Sequence, residues 1–174
     1  VLRSILPAAL WQSYFKFVFV RHPLDWFVSQ YRYNTRRPRF PAWVLAQPWR
    51  ARAALRTYRR AAARHEKRIY DAADVQRLHR HLKRYRGLPG TPTLLQSSYV
   101  HDTDGIQIVD FVGRFESLEE DVASVQRRIG IDFALPHRNR TDHPDYRDCF
   151  TDAGARKVRE LWSVDFERLG YQAT

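Results

Sequence analysis

The order of hydrophobic and polar positions near the start of the chain predicts a strand followed directly by a helix. Residues 14–20 (YFKFVFV) form a short aromatic and β-branched run that ends at a charged residue, as in the buried strand of an α/β sheet. Pro23 suits the first position of a helix. From Leu24 onward apolar residues recur at helical spacing, and polar residues lie on the opposite face. We therefore predict a strand, a tight turn and an amphipathic helix.

The middle of the chain has a weaker pattern. Residues 36–48 contain three prolines, which predicts a loop or a broken helix. Residues 49–70 are rich in alanine and arginine and favour a helix, and residues 74–85 form a clearer amphipathic helix that ends before Gly87. We interpret residues 36–90 as an arginine-rich helical insertion within one domain.

The last part of the chain returns to a clear alternation of elements. Residues 94–99 fit no single element, residues 106–115 predict a second strand, and residues 116–129 predict a helix with an apolar inner face. After a polar loop over residues 135–146, Thr151 is a candidate N-cap of a final helix. Strands that alternate with helices predict an α/β domain with a mainly parallel sheet.

Charge is distributed unevenly along the chain. The net charge of +11 is concentrated in residues 32–86, whereas residues 87–174 contain more acids than bases. Such a basic segment predicts a polyanionic partner, for example an acidic glycan, a phosphorylated cofactor or a nucleic acid. The alternative is a solvated helix surface without a partner. Aromatic residues occur in the segment, but not in the pattern of a nucleic-acid-binding module, so no specific nucleic-acid partner is expected.

Cysteine content, histidine spacing and hydropathy narrow the class of protein. Cys149 is the single cysteine, so the sequence excludes an internal disulfide framework and favours a reducing compartment. The seven histidines have no cysteine partners at zinc-ligand spacing, and no metal is predicted. No apolar run is long enough to span a membrane. We expect a bacterial cytoplasmic protein, with a Golgi luminal domain separated from its anchor as the alternative.

Arg21 and Ser29 are the candidate ligands for an anion. Arg21 follows the first predicted strand, at the carboxyl edge of the sheet, where open α/β sheets bind ligands. The adjacent helix N-terminus offers free N–H groups and a positive dipole end. Ser29 lies about two helical turns later, and an arginine, a hydroxyl and a helix start together suit a phosphate monoester. The alternative is that Arg21 pairs with Asp25 and that Ser29 is a surface residue of the helix.

The segment FVRHPLDWFVSQYR, which contains Arg21 and Ser29, resembles the 3′-phosphate-binding motif of the sulfotransferases, and in particular that of the carbohydrate sulfotransferases. Residues 110–118, 135–141 and 165–171 are similar to three further blocks of that family, in the same order. The resemblance implies a P-loop-NTPase-like α/β domain of three layers, with a mainly parallel sheet. It also implies 3′-phosphoadenosine 5′-phosphosulfate (PAPS) as the sulfuryl donor.

The same resemblance assigns residues to the two ends of the donor. Arg21 and Ser29 match the residues that bind the 3′-phosphate of the adenosine nucleotide. Arg138, Asn139 and Arg140 correspond in position to a loop that closes over the phosphosulfate end. The alternative for this loop is a solvated surface segment.

The chain departs from the family pattern at its start. The family begins with a strand and a phosphate-binding loop, and no glycine-rich turn followed by Lys, Ser or Thr occurs in this sequence. The family's catalytic base is usually a histidine or glutamate that precedes the 3′-phosphate motif, but the residues before Arg21 include no His, Asp or Glu. We therefore expect the first strand, the phosphate loop and the base to lie upstream of Val1. Residues 1–174 would then form a partial sulfotransferase domain, and the catalytic residue is unknown.

The expected function is transfer of a sulfuryl group from PAPS to a hydroxyl or amine, most readily on a carbohydrate acceptor that can itself be anionic. One alternative is a non-catalytic remnant that binds polyanions through residues 32–86. Another is a nucleotide kinase of related fold, which the missing phosphate loop disfavours. His22 is a candidate replacement for the base, although a turn role is the commoner one, and His79 and His81 are expected to be solvated.

Overall fold

Two parallel strands form a small sheet, and Arg21 directly follows the first of them. The computed structural model describes residues 7–36, 69–84, 94–135 and 144–172. Within these ranges β1 (Phe17–Val20) pairs with β2 (Phe111–Arg114) in parallel, with Phe17 opposite Phe111 and Val20 opposite Arg114. Because both strands run in the same direction, their carboxyl ends meet at one edge of the sheet. This edge is where the sequence places the anion ligands.

Helices account for most of the other described residues. They are α1 (Ala8–Ser13), α2 (Pro23–Arg36), α3 (Ala72–Arg84), α4 (Ser97–Val100), α5 (Leu118–Ile129), α6 (Asp152–Leu161) and α7 (Ser163–Arg168). Two 3₁₀ turns, Phe115–Ser117 and Tyr146–Cys149, lie just before α5 and α6. The mixture of a parallel strand pair and helices agrees with the predicted α/β class.

The main hydrophobic core lies between α2, α3 and α6. Phe27, Tyr70 and Trp162 are fully buried there, and the rings of Phe27 and Tyr70 meet edge to face with centroids 5.4 Å apart. Such aromatic pairs add about 0.5–1.5 kcal/mol beyond the burial of their area. Because α3 contributes Val75 and Leu78 to this core, the end of the arginine-rich segment packs with the rest of the domain.

A smaller core fastens the sheet to the end of the chain. Val20 of β1 packs with Val100 and Leu169, and both strands contribute partly buried valines around them. The residues that follow β1 are therefore enclosed by α4 on one side and by the C-terminal residues on the other.

Close backbone packing at the start of α6 requires a glycine. The Thr151 side-chain oxygen accepts a hydrogen bond from the Gly154 N–H at 3.1 Å, which confirms Thr151 as the N-cap. The Thr151 N–H donates to the Tyr70 carbonyl oxygen at 3.0 Å, and a Cβ atom on Gly154 would collide with that oxygen. Tyr70 also forms a bridge with Phe150, so the predicted helix over residues 49–70 does not include its last residue.

Two predicted elements are shorter than the sequence pattern suggests. The strand predicted over residues 106–115 is confined to β2. Before β2, Ile106 closes a turn on the Asp102 carboxylate and Gln107 forms an isolated antiparallel bridge with His101; after it, Phe115 begins a 3₁₀ turn. The strand predicted over residues 14–20 is confined to β1. The rest of the predicted helix over residues 49–70 lies largely outside the described residues.

The predicted final helix is divided in two at Trp162. This residue has φ −116° and ψ 23°, outside the helical region, and α7 begins directly after it. The Trp162 indole N–H donates to the Leu94 carbonyl oxygen at 2.6 Å, which fixes the buried ring at the break.

Among the helices that the structure describes, none is long and apolar enough to cross a membrane.

Candidate functional site

The backbone of Arg21 is held at the carboxyl end of β1 by one side chain. The Arg21 N–H donates to Gln96 Oε1 at 2.9 Å, and Gln96 Nε2 donates to the Arg21 carbonyl oxygen at 2.8 Å. Gln96 is buried and Arg21 is partly buried, so both hydrogen bonds are partly shielded from water. The primary amide of Gln96 therefore replaces the ladder partner that Arg21 loses where β1 ends.

A buried carboxylate positions Gln96 in turn. Asp165 is fully buried on α7, and its two carboxylate oxygens accept hydrogen bonds from the Gln96 and Ser97 N–H groups, each at 2.9 Å. These N–H groups belong to the start of α4, so Asp165 caps that helix from a distant part of the chain. Burial raises the pKa of Asp165, and the hydrogen bonds from Ser97 and Gln96 oppose this rise.

The Arg21 side chain is oriented by a carboxylate and an aromatic ring. Its Nε lies 2.9 Å from Asp25 Oδ2, and its Cζ lies 3.6 Å from the centroid of the Phe115 ring. The pairing with Asp25 that the sequence left as an alternative is therefore present. It uses Nε, and among the described residues the structure shows no acceptor for the terminal amino groups of Arg21. The guanidinium thus keeps donors for an oxyanion while both its plane and its direction are set.

Ser29 lies one helical turn beyond Asp25 on α2. Four residues of helix advance about 6 Å, so the Ser29 hydroxyl and the guanidinium held at Asp25 face the same side of α2 at neighbouring levels. Ser29 is partly exposed, and within the described residues its hydroxyl has no hydrogen-bond partner. Arg32, which follows Ser29 on this face, is buried. A cation, a free hydroxyl and a second cation therefore follow one another along the helix.

His22 stabilises the start of α2. It occupies the N-cap position, where its carbonyl oxygen accepts from the Trp26 N–H at 2.8 Å and its Nδ1 accepts from the Leu24 N–H at 3.3 Å. The imidazole stacks on the Tyr146 ring with centroids 4.8 Å apart. Burial lowers the pKa of His22, while Glu116 and a hydrogen bond to the Gln172 backbone act in the opposite direction. A neutral imidazole with both nitrogens engaged favours a structural role over that of a base.

Glu116 connects the two strand ends. Its Oε1 accepts from the His22 N–H at 2.6 Å, and its Oε2 accepts from the Tyr171 hydroxyl at 3.1 Å. The guanidinium of Arg114 lies 4.5 Å from the centroid of the Tyr171 ring and donates to the Leu169 carbonyl oxygen. Arg114 and Glu116 therefore fasten the C-terminal residues to the sheet edge, and Arg21 remains the candidate ligand for an anion.

Comparison with known proteins assigns the chain to a family. A model of the sulfotransferase family matches residues 4–172. The chain belongs to the sulfotransferase family. A search of curated proteins finds no match, and neither does a search of solved structures. Family membership supports sulfuryl transfer as the general activity of this sulfotransferase.

Of the residues that the sequence assigns to the sulfotransferase site, two are described. The Arg21 side chain is paired with Asp25, and Ser29 lies one helical turn beyond Asp25 on α2. Arg138, Asn139 and Arg140 lie outside the described residues. The histidine at position 79 differs from its predicted solvated state, because its ring meets that of Trp162 edge to face at 5.5 Å and burial lowers its pKa.

Sequence reasoning missed the residues that support Arg21. Gln96 lies in a stretch whose pattern fits no element, so nothing in its surroundings indicates a partner 75 positions away. Asp165 offered a weak signal, because an acidic residue among the apolar positions of a helix is costly to bury without hydrogen bonds. Phe115 offered none, since an aromatic residue at a strand end is usually part of the core.

Proposed function

We propose that this sulfotransferase transfers a sulfuryl group from PAPS to a hydroxyl or amine of a carbohydrate acceptor. The observation that supports the proposal best is the guanidinium of Arg21, which is oriented by Asp25 and Phe115 with its terminal donors left over. Ser29 lies one turn further along the same face of α2. An oriented guanidinium, with a hydroxyl one helical turn beyond the carboxylate that orients it, suits the oxygens of a phosphate monoester.

In the proposed reaction the acceptor oxygen attacks the sulfur of PAPS as the bond from sulfur to the 5′-phosphate oxygen breaks. The products are the sulfate ester or sulfamate, 3′-phosphoadenosine 5′-phosphate (PAP) and the acceptor's proton, which a base removes. Arg21 and Ser29 bind the 3′-phosphate and act by positioning the donor rather than by chemistry. The dipole of α2 adds positive potential at the same place, because its N-terminus points to the strand edge.

The charges around the 3′-phosphate site favour an anion despite the presence of Asp25. Arg21 precedes α2, and Asp25 and Arg32 follow on the helix, so residues 21–32 contain two cations and one anion. The carboxylate pairs with Nε of Arg21 and leaves the two terminal amino groups of the guanidinium available to an anion. Asp25 therefore orients the guanidinium without occupying all of its donors.

Nucleotide binding to Arg21→Ala tests this proposal. The variant should bind PAP about tenfold or more weakly, because a charge-assisted contact to the 3′-phosphate contributes about 1.5–3 kcal/mol. Binding of adenosine 5′-phosphate, which lacks the 3′-phosphate, should change far less. Titration calorimetry with both nucleotides measures the difference. Arg127→Ala, which removes an exposed arginine of α5, is the matched control. Equal losses for the two nucleotides would contradict the 3′-phosphate assignment.

Binding of polyanions without turnover is the second candidate function. Arg77, Arg80 and Lys83 are exposed on α3, on the side opposite its core residues, and they belong to the basic segment 32–86. Binding through such a surface falls steeply with salt and does not depend on a 3′-phosphate. Heparin affinity that disappears at high salt, together with no measurable affinity for PAP, would favour this function over sulfuryl transfer.

A further inference from the structure

A cleft of about 740 Å³ lies beside the Arg21 site and has no part in the chemistry proposed above. It is bounded by the start of α2, by the 3₁₀ turn Tyr146–Cys149, by α6 and by Gln172 near the C-terminus. Neither Arg21 nor Ser29 lines it, whereas His22, the neighbour of Arg21, does. The cleft is therefore a separate space that adjoins the same edge of the sheet.

Three arginines line this cleft. On α6, Arg156 follows Asp152 by four residues and Arg159 follows Arg156 by three, the helical steps that place side chains on one face. Arg147 approaches from the 3₁₀ turn. The opposite face of α6 is the one that packs into the core, through Val158. The fold of α6 thus directs its basic face into the cleft.

The charge of the cleft is positive because the acids do not balance the arginines. Asp152 is the one acidic residue among the described residues of the lining. Arg147 is paired with Asp145 at 2.9 Å, while Arg156 is exposed and has no ion pair in the described part of the chain. Arg147 and Arg159 also lower the pKa of His22, after the larger effect of burial, so their potential extends to the wall that the cleft shares with the strand edge.

The shape and surface of the cleft suit a sugar ring that carries a charge. Its volume falls within the range of sites for small molecules, about 300–1,000 Å³. Tyr146 and Phe150 add aromatic surface to the arginines, and Thr151 and Gln172 add polar groups. A planar guanidinium fork matches the paired oxygens of a carboxylate or of a sulfate ester.

We propose that this arginine-lined cleft binds an anionic group of the acceptor, a carboxylate or a sulfate ester, next to the donor site. The inference rests on the proposed function, since it takes the ligand to be the carbohydrate acceptor. It makes the sulfotransferase selective for acidic acceptors, because a neutral sugar would offer no anion to the exposed guanidinium of Arg156. The donor binds through Arg21 and Ser29, outside the cleft.

Binding of oligosaccharides to Arg156→Ala and to the double variant Arg156→Ala/Arg159→Ala tests the inference. The probes are an unsulfated oligosaccharide that contains uronic acid, its carboxyl-reduced counterpart, and the reduced form with one sulfate ester. PAP is measured in parallel on the same protein. Arg156 is exposed, so its removal should leave the fold intact. Arg127→Ala, which removes an exposed arginine of α5, controls for the loss of one positive charge elsewhere on the surface.

We expect the double variant to bind at least one of the two charged probes about tenfold more weakly, and Arg156→Ala to lose part of that affinity. A loss for the uronic-acid probe identifies a carboxylate, and a loss for the sulfated probe identifies a sulfate ester. Affinity for the neutral probe and for PAP should stay within about twofold.

Other outcomes would overturn the inference. Unchanged affinity for both charged probes would do so, as would an equal loss for the neutral probe or the same loss in Arg127→Ala. A parallel loss of PAP affinity would assign the cleft to the donor instead. Failure of the proposed function has a different signature, since the unsubstituted protein would then show no affinity for PAP whatever the probes do.

Discussion

At the scale of single residues, the site depends on how one arginine is held. The Arg21 guanidinium is fixed by the Asp25 carboxylate on one edge and by the Phe115 ring on one face. Its backbone is fixed by the two hydrogen bonds of Gln96. A flexible arginine would lose side-chain entropy on binding an anion, about 0.5–1.5 kcal/mol for each immobilised side chain. These contacts remove much of that cost before the ligand arrives.

Gln96→Ala should weaken PAP binding although Gln96 does not touch the ligand. Loss of both hydrogen bonds frees the Arg21 backbone, and we expect about a three- to tenfold rise in the Kd for PAP with little change for adenosine 5′-phosphate. Ser98→Ala, which removes an exposed hydroxyl two residues later, is the control. If Gln96→Ala lowers the melting temperature but leaves the ratio of the Kd values for PAP and adenosine 5′-phosphate unchanged, Gln96 has a purely structural role and the prediction is wrong.

At the scale of elements, the N-terminus of α2 depends on a neutral histidine. His22 caps the helix through Nδ1 and packs against Tyr146, and burial lowers its pKa below the ordinary 6.5. The unfolded chain then binds a proton at a pH where the folded protein does not. The contribution of His22 to the free energy of unfolding is therefore fully present above about pH 6.5 and is lost as the pH falls through the lower pKa of the folded state.

His22→Asn should make stability less dependent on pH. Asparagine keeps a side-chain acceptor at the N-cap but does not titrate, so the decrease in unfolding free energy between about pH 7 and pH 5 should be smaller than in the unsubstituted protein. Urea denaturation at both pH values measures the decrease. His79→Gln is an informative comparison, because burial also lowers the pKa of His79 and its removal should flatten the dependence independently. An unchanged decrease in His22→Asn would show that His22 is protonated alike in both states.

At the scale of the whole molecule, a buried carboxylate links the C-terminal helix to the sheet edge. Asp165 of α7 caps α4 and positions Gln96, which in turn holds Arg21. The smaller core around Val20, Val100 and Leu169 packs beside this connection. The proposed donor site therefore depends on residues from three distant parts of the sequence, and disturbance of α7 should reach Arg21.

Asp165→Asn should reduce both stability and donor binding. The asparagine amide would place an N–H donor against one of the two backbone N–H groups, so we expect about 2–4 kcal/mol of destabilisation. PAP affinity of the folded fraction should fall as it does in Gln96→Ala. Chemical denaturation and titration calorimetry measure the two effects. Glu167→Gln, on the exposed side of α7, should change neither. Full PAP affinity in a destabilised Asp165→Asn would show that the connection does not extend to the site.

Local patterns in the sequence predicted the elements that carry the site. Apolar runs and helical spacing predicted β1 and α2 near their observed positions, and Thr151 was confirmed as an N-cap, because these features depend on neighbouring residues. The motif around Arg21 and Ser29 also indicated the sulfotransferase family, which the family model shows. The spacing of apolar residues and the N-cap residue of a helix do not depend on distant contacts, so they can be recognised from the sequence alone.

Tertiary structure alone decided how the site is supported. The contacts of Gln96 and Asp165 with the strand edge, the division of the last helix at Trp162 and the cleft lined by Arg156 all join residues that are far apart in the chain or in different elements. Hydrogen bonds and ring contacts of this kind act over a few ångströms in space and leave no period in the sequence. The sequence by itself therefore determined α2 and the candidate anion ligands Arg21 and Ser29, and the packing of α4, α6 and α7 determined what holds them in place.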